Sequence, residues 1–118
     1  MRMIKPVFQP AGSRLCGHAC VAMVVGVYLE VVIAVIGHSH GTKTKELVAA
    51  LRYFGVACSN RLRVIKTTLP DLCIAKQPNK TGSNWYWVVV ERGRRYDPAV
   101  LCSDPNDNPL SSYLEIGK

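Results

Sequence analysis

Apolar residues crowd the first third of the chain almost without interruption, whereas the second half alternates short apolar runs with polar breaks. From Cys16 to Tyr28 nearly every position is apolar or small, which predicts a helix buried on all sides, followed by a second short helix over Glu30–Ile36. Two glycines bracket small polar residues in Gly37-His38-Ser39-His40-Gly41, so this segment reads as a loop. Beyond it Leu47, Ala50, Leu51 and Phe54 recur every three or four residues, while Lys45, Glu46 and Arg52 take the opposite face. That pattern predicts a third helix, capped by Thr42 or Thr44 and ended by Gly55. From Val56 onward the period shortens to two, predicting strands at Val56–Ser59, Leu62–Lys66, Leu72–Lys76, Trp85–Glu91, Arg94–Asp97 and Tyr113–Ile116, with a surface loop over Pro98–Pro109. Helices first and strands second imply an α+β domain, its N-terminal helices packed on a C-terminal antiparallel sheet.

The apolar run Ala19–Gly37 is long enough to cross a bilayer. Glu30 near its middle would cost ~2.5–3.5 kcal/mol on an insertion scale, Gly26 interrupts it, and no positive flank lies close by. Two short helices of a globular core are therefore expected and no membrane span. With 118 residues, residues 1–118 are expected to form one domain, and 48% hydrophobic content gives it enough material for a core. Five cysteines, an odd number without a secretory leader at Met1–Gln9, imply a reducing, cytoplasmic setting rather than a disulfide framework. The net charge of +7 favours acidic partners and raises a nucleic-acid alternative. The basic residues nevertheless fall in scattered groups, Lys43/Lys45, Arg61/Arg63/Lys66 and Arg92/Arg94/Arg95, without the interleaved aromatics of single-strand binders.

Candidate chemistry concentrates at Gln9 and at Cys16-Gly17-His18-Ala19-Cys20, which opens the first helix. A thiol at a helix N-terminus meets unpaired backbone N–H groups and the positive end of the macrodipole, both of which favour thiolate. Cys16 is thus a candidate nucleophile. Its own N–H and the side chain of Gln9 could supply the two donors of an oxyanion hole. The bland reading of the same residue is a small core cysteine, which is also the expectation for Cys20, Cys58, Cys73 and Cys102.

These residues, with Leu69-Pro70, Trp85-Tyr86-Trp87-Val88-Val89-Val90 and Tyr96-Asp97-Pro98, resemble the papain-like cysteine peptidases, and among them the bacteriocin-processing double-glycine leader peptidases and their relatives. The resemblance spans almost the whole chain. It implies a minimal papain-like fold, Gln9 as oxyanion donor, Cys16 as nucleophile and Asp97 as the group orienting a base, with no cofactor or metal. The departure falls on the base itself: where the family places histidine, this chain has Tyr86.

Local geometry supports the placement. A hairpin closed at Arg92-Gly93 pairs Val90 with Arg95 and Val88 with Asp97, which sets Tyr86 diagonally from Asp97 on the same face. A phenol with a reference pKa near 10 is a donor at neutral pH and a poor proton acceptor, so losing imidazole should slow hydrolysis about 10²–10⁴-fold. Three histidines are possible substitutes. His18 lies about 200° round the helix from Cys16 and should point away, while His38 and His40 sit in a loop able to fold back over the site. A zinc set of Cys16, Cys20, His38 and His40 is chemically allowed but fits no usual spacing. Trp85 and Trp87, opposite Tyr86, are expected to serve packing. The expected function is thus amide cleavage impaired or altered at its base. The alternatives are a pseudo-peptidase that holds a peptide or protein partner without turnover, and a basic nucleic-acid-binding module.

Overall fold

The computed structural model describes residues 4–10, 13–78, 85–98 and 109–117; Cys102 and residues 99–108 of the expected loop lie outside them. Three helices, α1 (Cys16–Val25), α2 (Leu29–Ile36) and α3 (Thr44–Tyr53), precede five strands, β1 (Arg63–Val64), β2 (Leu72–Pro78), β3 (Trp85–Glu91), β4 (Arg94–Tyr96) and β5 (Ser112–Glu115). The strands form one antiparallel sheet in the order β1-β5-β2-β3-β4. The α+β arrangement anticipated from the sequence is present.

α1 stops at Val25 rather than at Tyr28 because Gly26 adopts a left-handed backbone (φ 85°) and donates its N–H to the Ala22 carbonyl. The chain then turns sharply, leaving α1 and α2 bent by 115°, and among the described residues no single helix is long and apolar enough to cross a membrane. α1 is buried along almost its whole length, as its uniform apolarity requires, and lies against one face of the sheet with Ile74, Trp87, Val89 and Leu114. The opposite face gathers a smaller cluster of Cys73, Ala75, Val88 and Val90, under Leu69, Leu110 and Tyr113. Both faces of β3 are therefore buried, which explains the unbroken Val88-Val89-Val90 run.

The hairpin register is as expected, with Val90 opposite Arg95, Glu91 opposite Arg94 and Val89 opposite Tyr96. Its two-residue turn places Arg92 (φ 49°) and Gly93 (φ 82°) in the left-handed region, the geometry that matches strand twist. The ladder ends at Tyr96, one residue before Asp97. Two strands are shorter than the pattern suggested: Val56–Ser59 contributes only a bridge from Cys58 to Ile116, and Leu62–Lys66 pairs only at Arg63–Val64. The threonine caps do not form. Lys43 is the N-cap of α3 without a side-chain cap of its own; its backbone N–H is instead accepted by the Glu46 carboxylate at 2.9 Å.

Candidate functional site

Among the described residues no side chain caps α1, whose N-cap is Leu15. The first N–H groups of the helix are thereby left for whatever lies in front of them. Cys16 lies there, and backbone N–H groups of Trp87, Gly17 and Cys16 itself point at its sulfur. Each would stabilise a thiolate, yet Cys16 is only 8% exposed and burial, reinforced by the negative charge of Asp97, raises the thiol above its ordinary pKa. The expectation of a thiol lowered by the helix terminus is therefore corrected: the local effect is present, and desolvation exceeds it.

Cys16, Gln9 and Tyr86 line one cleft of about 450 Å³, whose other walls come from Ser13, Arg14, the His40–Lys43 segment, Gln77 and the two tryptophans. Gln9 is pinned at both ends. Its backbone N–H donates to the Pro98 carbonyl (2.9 Å), and its side-chain Nε2 donates to the Ser13 carbonyl (2.8 Å) with Ser13 Oγ at 3.4 Å. Its Oε1 accepts from the Tyr86 hydroxyl at 3.1 Å. The same phenol is within hydrogen-bonding reach of the Asp97 carboxylate. One phenolic proton thus faces two acceptors. Burial first, then the charge of Asp97, pushes the Tyr86 hydroxyl far above its ordinary pKa, so it keeps that proton at any physiological pH. At neutral pH the site holds a thiol, a phenol and an amide with one of its two N–H groups given to the Ser13 carbonyl. The four residues singled out from the sequence do come together, and the amide nitrogen expected as an oxyanion donor gives one of its N–H groups to the Ser13 carbonyl.

The histidines take other parts. His18 is fully buried, as its position round the helix implies, with Nε2 on the His38 carbonyl at 2.7 Å and Nδ1 without a partner among the described residues. His38 bonds through Nε2 to the Glu46 carboxylate and through Nδ1 accepts the His40 backbone N–H at 3.1 Å. The latter contact uses the Nδ1 lone pair, so it is Nε2 that presents its N–H to Glu46. Partial burial alone would raise the Glu46 carboxyl; His38 and the Lys43 N–H outweigh it and hold the group below its ordinary pKa. His40, stacked on His38, is the histidine that lines the cleft. Among the described residues no three His, Cys, Asp or Glu side chains are placed to hold a metal ion.

Sequence reasoning missed the part played by Thr42. Its carbonyl accepts both indole N–H groups, Trp85 at 3.2 Å and Trp87 at 3.1 Å, which ties the cleft wall to β3. Paired indoles two residues apart are the only hint the sequence offers, and they name no acceptor.

His18 also carries a stability prediction. Burial lowers its pKa, with the His38 carbonyl pulling the other way, so the folded protein resists a proton that the unfolded chain accepts near pH 6.5. The stabilisation is complete above pH 6.5 and is lost as pH falls from there toward the lowered folded value. Urea midpoints measured from pH 8 to pH 5 should decline below pH 6.5, and His18→Gln should flatten that decline; an equal slope in the variant refutes the assignment.

No family model matches the chain, and no curated protein matches it either.

Proposed function

We propose that the chain is a cysteine-peptidase-like protein of papain type, in which Cys16 is the nucleophile and hydrolysis is impaired because a phenol occupies the position of the base. The observation that carries this reading is the shared cleft: Cys16, Gln9 and Tyr86 line it together, and the Tyr86 hydroxyl reaches both Gln9 and Asp97. In amide cleavage the Cys16 sulfur bonds to the carbonyl carbon, the C–N bond breaks, and the thiol proton must end on the leaving amine. Tyr86 holds its own proton and cannot take that of the thiol, so the transfer lacks its usual carrier. A second reading, a pseudo-peptidase that binds an extended peptide without turnover, is favoured by the Gln9 amide, one of whose two N–H groups is committed to the Ser13 carbonyl while its oxygen is held by the Tyr86 hydroxyl.

Alkylation by iodoacetamide, followed by peptide mapping across pH, tests the site. Cys16 should react ahead of Cys20, which is sealed in the core, and of Cys73, whose thiol burial pushes up to about 12. Its rate should rise about tenfold per pH unit through neutrality and go on rising past the point where an ordinary thiol levels off, because thiolate is the reacting species. A Cys16 no more reactive than Cys20 and Cys73 overturns both readings. A plateau already reached at pH 7 overturns the impaired base and restores an ordinary activated thiol.

A further inference from the structure

Resting on the cleft reading above, we infer that the cleft takes an acidic peptide segment, recognised by the charge of its rim. Two cationic side chains, Arg14 and Lys43, line it, with a third, the Lys76 ammonium, 4.9 Å above the ring of Trp85 at the same end of the sheet. Among the described residues no carboxylate lines the cleft. Two described acids act on its surroundings: Asp97 faces the Tyr86 phenol and puts its negative charge behind Cys16 and Tyr86, and Glu46 is held by His38 and by the Lys43 backbone N–H. Among the described residues neither Arg14 nor Lys76 forms an ion pair, whereas Lys43 lies near enough to Glu46 to help lower its carboxyl. Arg14 therefore carries more of the uncompensated charge than Lys43. Trp85, 39% exposed and fixed through its indole N–H to Thr42, adds an aromatic wall against which an apolar residue of the same peptide can lie. Cations around an aromatic surface suit acidic residues flanking an apolar one. A basic segment would meet like charges.

The net charge of +7 attracts any polyanion, so the test must separate the rim from the whole surface. Fluorescence polarisation compares a labelled acidic peptide (Asp and Glu flanking Leu), its Asn/Gln counterpart, a Lys counterpart and a single-stranded oligonucleotide, each at two salt concentrations. These are measured with the full chain, with Arg14→Glu/Lys43→Glu, and with Arg63→Glu/Lys66→Glu, which makes the same charge change at the far edge of the sheet. The acidic peptide should bind about tenfold more tightly than its neutral counterpart, and the cleft variant should lose that advantage while the remote variant keeps most of it. Arg14→Glu alone should weaken binding more than Lys43→Glu alone. Equal losses in the two double variants overturn the inference, as does tighter binding of the oligonucleotide than of the acidic peptide. Protection of Cys16 from iodoacetamide separates the two levels of failure. If all three peptides protect it equally, the cleft binds peptides and the charge inference alone falls. If none protects it, the cleft reading falls too.

Discussion

Tyr86→His is expected to increase the rate of Cys16 alkylation at pH 7 and to move its onset to lower pH, and to raise any amide hydrolysis by about 10²–10⁴-fold. The phenol reaches Asp97, and an imidazole at the same strand position inherits that carboxylate as the acceptor for one ring N–H, leaving its other nitrogen to take the thiol proton. An imidazolium then replaces a neutral phenol beside the sulfur, adding a positive charge to the backbone N–H groups of Trp87, Gly17 and Cys16 that already favour thiolate. The substitution also frees Gln9 Oε1 from the Tyr86 hydroxyl, so the amide is no longer held from that side. Tyr86→Phe is the control. It keeps the ring, removes the hydroxyl, and is expected to cost about 0.5–1.5 kcal/mol in stability without raising Cys16 reactivity. Equal gains in the two variants would mean that the phenol merely obstructs access, and no gain in Tyr86→His would place the base elsewhere, with His40 of the cleft wall the next residue to test.

What the sequence disclosed about this site and what it concealed divide along a physical line. The Tyr86–Asp97 juxtaposition was legible because it depends on two local rules, alternation along a strand and the register imposed by a two-residue turn at Arg92-Gly93. The start of α1 at Cys16 was legible too, from the switch to continuous apolarity. The sign of the thiol's shift was not. The helix terminus is a property of neighbours in sequence, whereas the desolvation that exceeds it comes from burial in a core assembled by the whole fold. Thr42 fails for the same reason: sequence chemistry makes it a helix cap, while packing makes its carbonyl the acceptor for indoles 43 and 45 residues away. Gln9 lines the same cleft as Cys16, but the direction of its amide depends on Ser13 and Tyr86 together, contacts that no spacing rule encodes.

Gly17→Ala should destabilise the fold by roughly 1–3 kcal/mol, although the same change inside an ordinary helix stabilises by about 1 kcal/mol. The sign is what tests the packing. A β-carbon at position 17 would lie 1.8 Å from Thr42 Oγ1 and 3.1 Å from Trp87 Cδ1, closer to the oxygen than any real contact allows. Neither neighbour can yield freely, since Thr42 and Trp87 are almost fully buried and joined by the indole hydrogen bond. The Thr42 hydroxyl has no hydrogen-bond partner among the described residues, so Thr42→Ala removes the obstructing oxygen without breaking a bond. In the double variant Gly17→Ala/Thr42→Ala the loss should be less than the sum of the single losses by about 0.5–3 kcal/mol, measured as urea midpoints in a double-mutant cycle. A stabilising Gly17→Ala, or strict additivity in the cycle, would refute the close approach of α1 to the Thr42 wall. Because that wall bounds the cleft beside Cys16, Gly17→Ala should also slow or disorder peptide protection of Cys16 under conditions where the variant remains folded, which ties the missing side chain at position 17 to the shape of the site and not only to the core.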